Sequence, residues 1–103
     1  MKIYSRLSIN IEDRRVRKIQ KRYYGTRNYR NSSESQLASD ICTSIYLSGI
    51  GSNVTGIYPL YNPNGELNGY YVIIDIYTYS SNTNYIKQIA DRAILRFGNF
   101  YPL

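Results

Sequence analysis

Tyrosine supplies thirteen of the 103 residues, against two Phe and no Trp. A tyrosine ring offers an apolar face for stacking while its hydroxyl stays wet, and it loses only two torsions on ordering, so tyrosines suit recognition surfaces. Tyr58, Tyr61, Tyr71, Tyr77 and Tyr79 fall in two strand-like runs and are the candidate partner-binding residues. Part of the bias has a plainer origin, because Tyr is also a good strand residue. The second chemistry is cationic. Residues 14–22 read RRVRKIQKR, so Arg14, Arg15, Arg17, Lys18, Lys21 and Arg22 are candidates for phosphate contacts on a nucleic acid. Tyr4, Tyr23 and Tyr24 lie close enough in sequence to add base stacking. Short basic runs also serve as solvated faces, and no RNP signature or helix-turn-helix pattern is present.

Catalytic chemistry has thinner support. The acids are scattered, and Asp75 is the only one inside a strongly apolar run. A metal-dependent nuclease needs at least two convergent carboxylates, and no spacing here forces a pair together. Asp75 is therefore expected at an exposed strand position, and nuclease activity ranks third among the readings. There is no His and one Cys, too few for a zinc or transition-metal site or an internal disulfide. Cys42 sits on an apolar stripe and is expected to be a small buried hydrophobe. Gly49-Ile50-Gly51 lacks the third glycine of a dinucleotide loop and reads as a helix exit. No catalytic residue, metal or cofactor is expected.

These side chains need elements to hold them. Residues 2–10 alternate polar and apolar, as in a half-buried strand, and 11–14 turn the chain. Residues 15–30 fit both helical and strand spacing; Gly25, Asn28 and the Tyr pair favour a strand. An amphipathic helix spans 32/33 to 48, capped by Ser33, with Leu37, Ile41 and Ile45 as its apolar stripe. Gly49 and Gly51 supply its left-handed exit. Strands follow at 54–61 and 70–79, joined through Pro63-Asn64-Gly65, a strong turn signal. In the second, Val72, Ile74 and Ile76 share one face, and Tyr71, Ile73, Asp75, Tyr77 and Tyr79 the other. A last helix runs from 80/81 to about 97, with Tyr85, Ile89 and Ala93 (beside Ile86, Ala90, Ile94 and Phe97) as its buried stripe. Gly98 ends it, and Phe100, Tyr101 and Leu103 are expected to tuck onto the core.

Shifted by 48 positions, the helix at 32–48 lies over 80–96, apolar on apolar and polar on polar, while Tyr23, Tyr24 and Tyr29 fall on Tyr71, Val72 and Tyr77. The expected fold is α+β: two ββα repeats (ββαββα), approximately 1–51 and 52–103, within a single domain over 1–103. They would form a four-stranded antiparallel sheet with two helices on one face, related by a pseudo-twofold axis. The copies differ in charge. Residues 1–31 hold ten Lys/Arg against two acids, a balance of +8, and residues 32–103 balance to −2. No apolar run approaches the ~20 residues of a membrane span, and the N-terminal alternation does not fit a signal peptide. A soluble, intracellular protein is expected.

The blend of Tyr, Ile, Asn and Ser, the missing His, and the segments MKIYSRLSIN and YYVIIDIYTYSS resemble small orphan proteins of filamentous viruses infecting hyperthermophilic archaea, of the Acidianus filamentous virus 1 type. The resemblance implies a protein of the host cytoplasm and brings no site residue with it. From the residues themselves, the first functional expectation is a non-enzymatic protein–protein interaction module. It would bind a peptide or protein, or a second copy in a homodimer, in the groove between repeats or on the Tyr-rich sheet face. Nucleic-acid binding through residues 14–22 is the alternative.

Overall fold

The computed structural model describes residues 15–26, 33–98 and 100–103. The strand expected at 2–10, the turn at 11–14 and Arg14 lie outside the described residues. The elements are β1 (Arg17–Thr26), α1 (Glu34–Tyr46), β2 (Gly51–Tyr61), β3 (Leu67–Thr78), α2 (Thr83–Phe97) and β4 (Phe100–Pro102). They build an α+β fold around a four-stranded sheet ordered β2-β3-β1-β4, antiparallel at every pairing. From β1 to α2 the order is the expected one. The short strand β4 then adds to the outer edge of β1, completing the β–α–β–β–α–β connectivity of a split βαβ, ferredoxin-like sheet.

Local chemistry explains the boundaries. Ser33 Oγ accepts from the Gln36 N–H at 3.1 Å, satisfying one orphan donor at the start of α1. Leu37, Ile41 and Ile45 are buried along its stripe, and Gly49 turns the chain out at φ +84°. In the β2–β3 hairpin, Asn62 Oδ1 accepts from the N–H groups of Asn64 and Glu66, while Gly65 takes φ +82°. α2 begins later than the serines suggest, because Asn82 is its cap: Asn82 Oδ1 accepts from the Tyr85 N–H at 3.2 Å.

Three expectations about burial are corrected. The buried arc of α2 is Ile86, Ala90, Ala93 and Ile94, and Tyr85 is exposed. Ile89 and Phe97 pack partly buried against the core, so Tyr85 alone departs from the expected stripe. The C-terminal segment is a strand, and strand side chains alternate between faces. Phe100 is therefore buried while Tyr101 and Leu103 are exposed. Cys42 is half-buried rather than buried.

Both helices cover one face of the sheet. Tyr23, Tyr70, Val72, Ile74, Ile76 and Phe100 meet Leu37, Ile41 and Ile45 of α1 and Ile86, Ala90, Ala93 and Ile94 of α2 in one core. Burying each large aliphatic side chain there stabilises the fold by about 1.5–3 kcal/mol. Gly25 is the floor under Phe100: a Cβ on Gly25 would come within 2.2 Å of the ring.

The pairings also show which strand residues share a face. Tyr23 lies opposite Val72, and both point into the core. Core-facing residues are odd-numbered in β1 and even-numbered in β3, so a shift of 48 lays Tyr23 on Tyr71, on the opposite face. A shift of 49 keeps the faces. It lays Ser33 on Asn82 and Glu34 on Thr83, cap on cap and first turn on first turn. It also lays Leu37, Ile41 and Ile45 on Ile86, Ala90 and Ile94, and Gly51, the start of β2, on Phe100, the start of β4.

Candidate functional site

With the helices on one side, the sheet's other face is left open among the described residues, and its cross-strand register sorts the side chains into rows. The first row crosses all four strands: Tyr58 of β2, Tyr71 of β3, Tyr24 of β1 and Tyr101 of β4. Strands lie about 4.8 Å apart, so the row spans about 14 Å. Its outer members are exposed, Tyr58 at 53% and Tyr101 at 50%, and the inner pair is half-buried. The Tyr58 and Tyr71 rings are 6.0 Å apart between centroids and tilted by 43°. Gly56 lets the Tyr58 ring lie low, since a Cβ there would stand 2.9 Å from it.

Further rows follow at about 7 Å steps along the strands. Ile73 lies between Gly56 and Arg22, then Asp75 between Asn53 and Gln20, then Tyr77 between Gly51 and Lys18. Asp75 corrects the expectation of an exposed acid. It is buried at 7% exposure on the second strand of the sheet, flanked on both sides. Its Oδ1 is shut from solvent and receives no hydrogen bond.

The five expected tyrosines do not form one patch. Tyr58 and Tyr71 share the first row. Tyr61 sits at the end of β2 opposite Leu67. Tyr77 is six residues along β3 from Tyr71, about 20 Å. Tyr79 lies past the strand's end, where its carbonyl accepts from Arg17 Nη1 at 3.2 Å. Tyr24, expected only as a stacking ring beside the basic run, and Tyr101, which was missed, complete the row. The signal for Tyr24 was present, because in a strand Tyr23 and Tyr24 must face opposite ways. Nothing local marked Tyr101.

Alternation splits the basic run as well. Arg15 is exposed ahead of β1, and Lys18 and Arg22 are exposed on the open face. Arg22 Nη2 donates to Gln20 Oε1 at 3.3 Å. Lys21 turns toward α2 and pairs with Asp91 at 3.2 Å. The same Asp91 oxygen accepts from the Tyr23 hydroxyl at 2.7 Å, and the Lys21 ammonium lies 5.5 Å from the Tyr23 ring centroid. Burial, and then the Asp91 carboxylate, push the Tyr23 hydroxyl well above the ordinary tyrosine pKa.

Two clefts flank the face. At the β1 rim, Gln20, Lys21, Arg22, Lys87 and Leu103 line a polar cleft of about 260 Å³. At the Tyr77 end, a mainly apolar cleft of about 450 Å³ runs between the α1–β2 turn and the β3–α2 loop, lined by Val16, Ile50, Tyr77, Tyr79 and Ile86 among others. Among the described residues no three His, Cys, Asp or Glu gather as a metal site would require, and no helix is long and apolar enough to cross a membrane. No family model, curated protein or solved structure matches this chain.

Proposed function

We propose that the open face binds single-stranded nucleic acid without catalysing a reaction. The observation that carries this is the row Tyr58–Tyr71–Tyr24–Tyr101, with Arg22 and Lys18 on the same face. Aromatic stacking tolerates any base, because every base has a π-face, and it needs bases that are unpaired. Central-strand aromatics on a four-stranded sheet hold two or three bases in this way. The cleft of Lys21, Arg22 and Lys87 lies at the rim, where a phosphodiester backbone leaving the sheet meets cations. The +8 balance of residues 1–31 supplies long-range attraction.

A gel-shift or anisotropy titration tests the proposal, with single- and double-stranded oligonucleotides in RNA and DNA arms. Single strands bind, duplexes bind more weakly, and affinity falls steeply as salt rises from roughly 50 to 200 mM, because bound phosphates release counterions. The double variant Tyr24→Ala/Tyr71→Ala loses at least about thirtyfold, at 1–3 kcal/mol per stacked base. Failure of any single strand to bind at the lowest salt overturns the proposal.

The apolar cleft at Val16, Ile50, Tyr77, Tyr79 and Ile86 favours a second reading, in which a partner protein, a peptide or a second copy of the chain inserts an apolar side chain. Its mark is binding that salt leaves nearly unchanged. The same cleft lies at the seam between two units that we read as copies, β1-α1-β2 and β3-α2-β4. The shared caps and buried stripes 49 residues apart support that duplication, with its boundary in the turn between β2 and β3 rather than at residue 51. The viral origin and the host cytoplasm implied by the sequence resemblance fit such a binding module and stand as part of this proposal.

A further inference from the structure

We infer that Asp75 makes the open face selective for guanine; the inference rests on the single-strand binding proposed above and names the base that binding favours. Asp75 is buried in the middle of the face, and its Oδ1 has neither solvent nor a donor. An ionised carboxylate can only accept hydrogen bonds, and leaving it buried without a donor costs free energy. Among the described residues, the exposed charges on the face are the cations Lys18 and Arg22. A bare carboxylate among them opposes phosphate, so it gains only from a ligand that brings N–H groups. Its cross-strand neighbours are Asn53 and Gln20, both exposed. The row is thus amide, carboxylate, amide, the side-chain set that reads base edges.

Tyr77 lies two residues along β3, about 7 Å away and on the same face. A base stacked on its ring presents an edge over Asp75. In single strands that edge is the Watson–Crick edge. Guanine carries two adjacent donors there, N1–H and the N2 amino group, which match the two oxygens of one carboxylate. Adenine and cytosine set a ring-nitrogen acceptor beside their amino group. Uracil flanks its single N–H with carbonyls. In each of these three, one carboxylate oxygen faces another acceptor.

The test is an anisotropy titration with labelled eight-nucleotide oligouridylates carrying one central G, A, C, U or inosine, repeated with the DNA equivalents. The unmodified chain binds the guanine ligand about tenfold more tightly than the others, the discrimination one bidentate pair supplies. Inosine, which lacks the N2 amino group, loses most of that preference without any change to the protein. Asp75→Asn, similar in volume, brings the ligands to within about threefold of one another while the uridine ligand binds as before. Equal binding of all five ligands by the unmodified chain overturns guanine selectivity and leaves single-strand binding standing, as does a guanine preference that survives Asp75→Asn. If none of the ligands binds, the proposed function falls and the selectivity with it.

Discussion

Tyr23 and Tyr24 are neighbours of the same type on one strand, and they share almost nothing else. Tyr23 is wholly buried against the helices and bonded to Asp91. Tyr24 is half-buried on the open face, between Tyr71 and Tyr101. The same contrast divides the two sides of β3, with Val72, Ile74 and Ile76 in the core and Tyr71, Ile73, Asp75 and Tyr77 opposite. One side spends its apolar area on cohesion within the chain. The other carries exposed aromatic area, two exposed cations and a buried carboxylate oxygen without a donor. Stability and binding should therefore respond separately to substitutions one residue apart.

The sharpest break in that comparison is Tyr23→Ala. It empties a fully buried aromatic site and should cost about 3–5 kcal/mol, read as the loss of midpoint in a urea or thermal melt. A melt within about 1 kcal/mol of the parent would mean that Tyr23 is not a core residue. Next is Gly25→Ala, whose methyl group would strike the Phe100 ring. Overpacking of this kind costs about 1–3 kcal/mol. The cost should shrink in a Phe100→Leu background, where the obstruction is smaller. If Phe100→Leu does not soften it, the ring is not what Gly25 accommodates.

Tyr23→Phe is subtler, because it keeps the packing and removes the hydroxyl that donates to Asp91. Asp91 retains Lys21, so at neutral pH the loss should be about 1 kcal/mol. The pH dependence is more telling. Folding raises the Tyr23 pKa, so the folded state holds that proton more tightly than the unfolded chain does. This contribution is complete below the unfolded tyrosine value of about 10 and is lost as pH rises above it. The parent should lose stability steeply on the alkaline side of pH 10, and Tyr23→Phe should lose less. Parallel alkaline limbs in the two proteins would count against the buried Tyr23–Asp91 bond.

Features written in local residue patterns were legible in advance. The hairpin turn follows from Pro63, Asn64 and Gly65, and the α1 stripe from Leu37, Ile41 and Ile45. The two faces of β3 follow from strict alternation around Val72, Ile74 and Ile76. β1 was ambiguous because Val16, Ile19 and Tyr23 fit a helix as well as Ile19, Lys21 and Tyr23 fit a strand. Cross-strand pairing with β3 decides between them. β4 was illegible for a different reason. Three residues carry no periodicity, and their conformation depends on β1 and on the space above Gly25, some 75 residues earlier in the chain. The miss at Tyr101 follows from this, since Tyr101 joins the row only through β4. The two shifts also part company here: 48 matches apolar with apolar along the helices, whereas 49 lays Ala38 on Lys87 and Cys42 on Asp91 but keeps the caps and the strand faces in step.

The smallest predicted effect on stability is at Tyr58, and it isolates the open face most cleanly. The ring is more than half exposed, and its neighbours are Tyr71 on one side and the bare Gly56 backbone beneath. Tyr58→Ser should move the unfolding free energy by no more than about 0.5 kcal/mol, the usual range for an exposed site. On binding, the ring is one of four stacking surfaces, and its removal should weaken single-strand affinity by about tenfold, at 1–3 kcal/mol per stacked base. Tyr58→Phe keeps the π-face and should bind as the parent does. A Tyr58→Ser protein that melts normally and binds normally would confine the contact to the central strands, leaving Tyr71, Tyr24 and Tyr77 as the stacking set. One that melts early would show that the row is part of the sheet's cohesion, and the division of labour between the two faces would fail at its outermost strand.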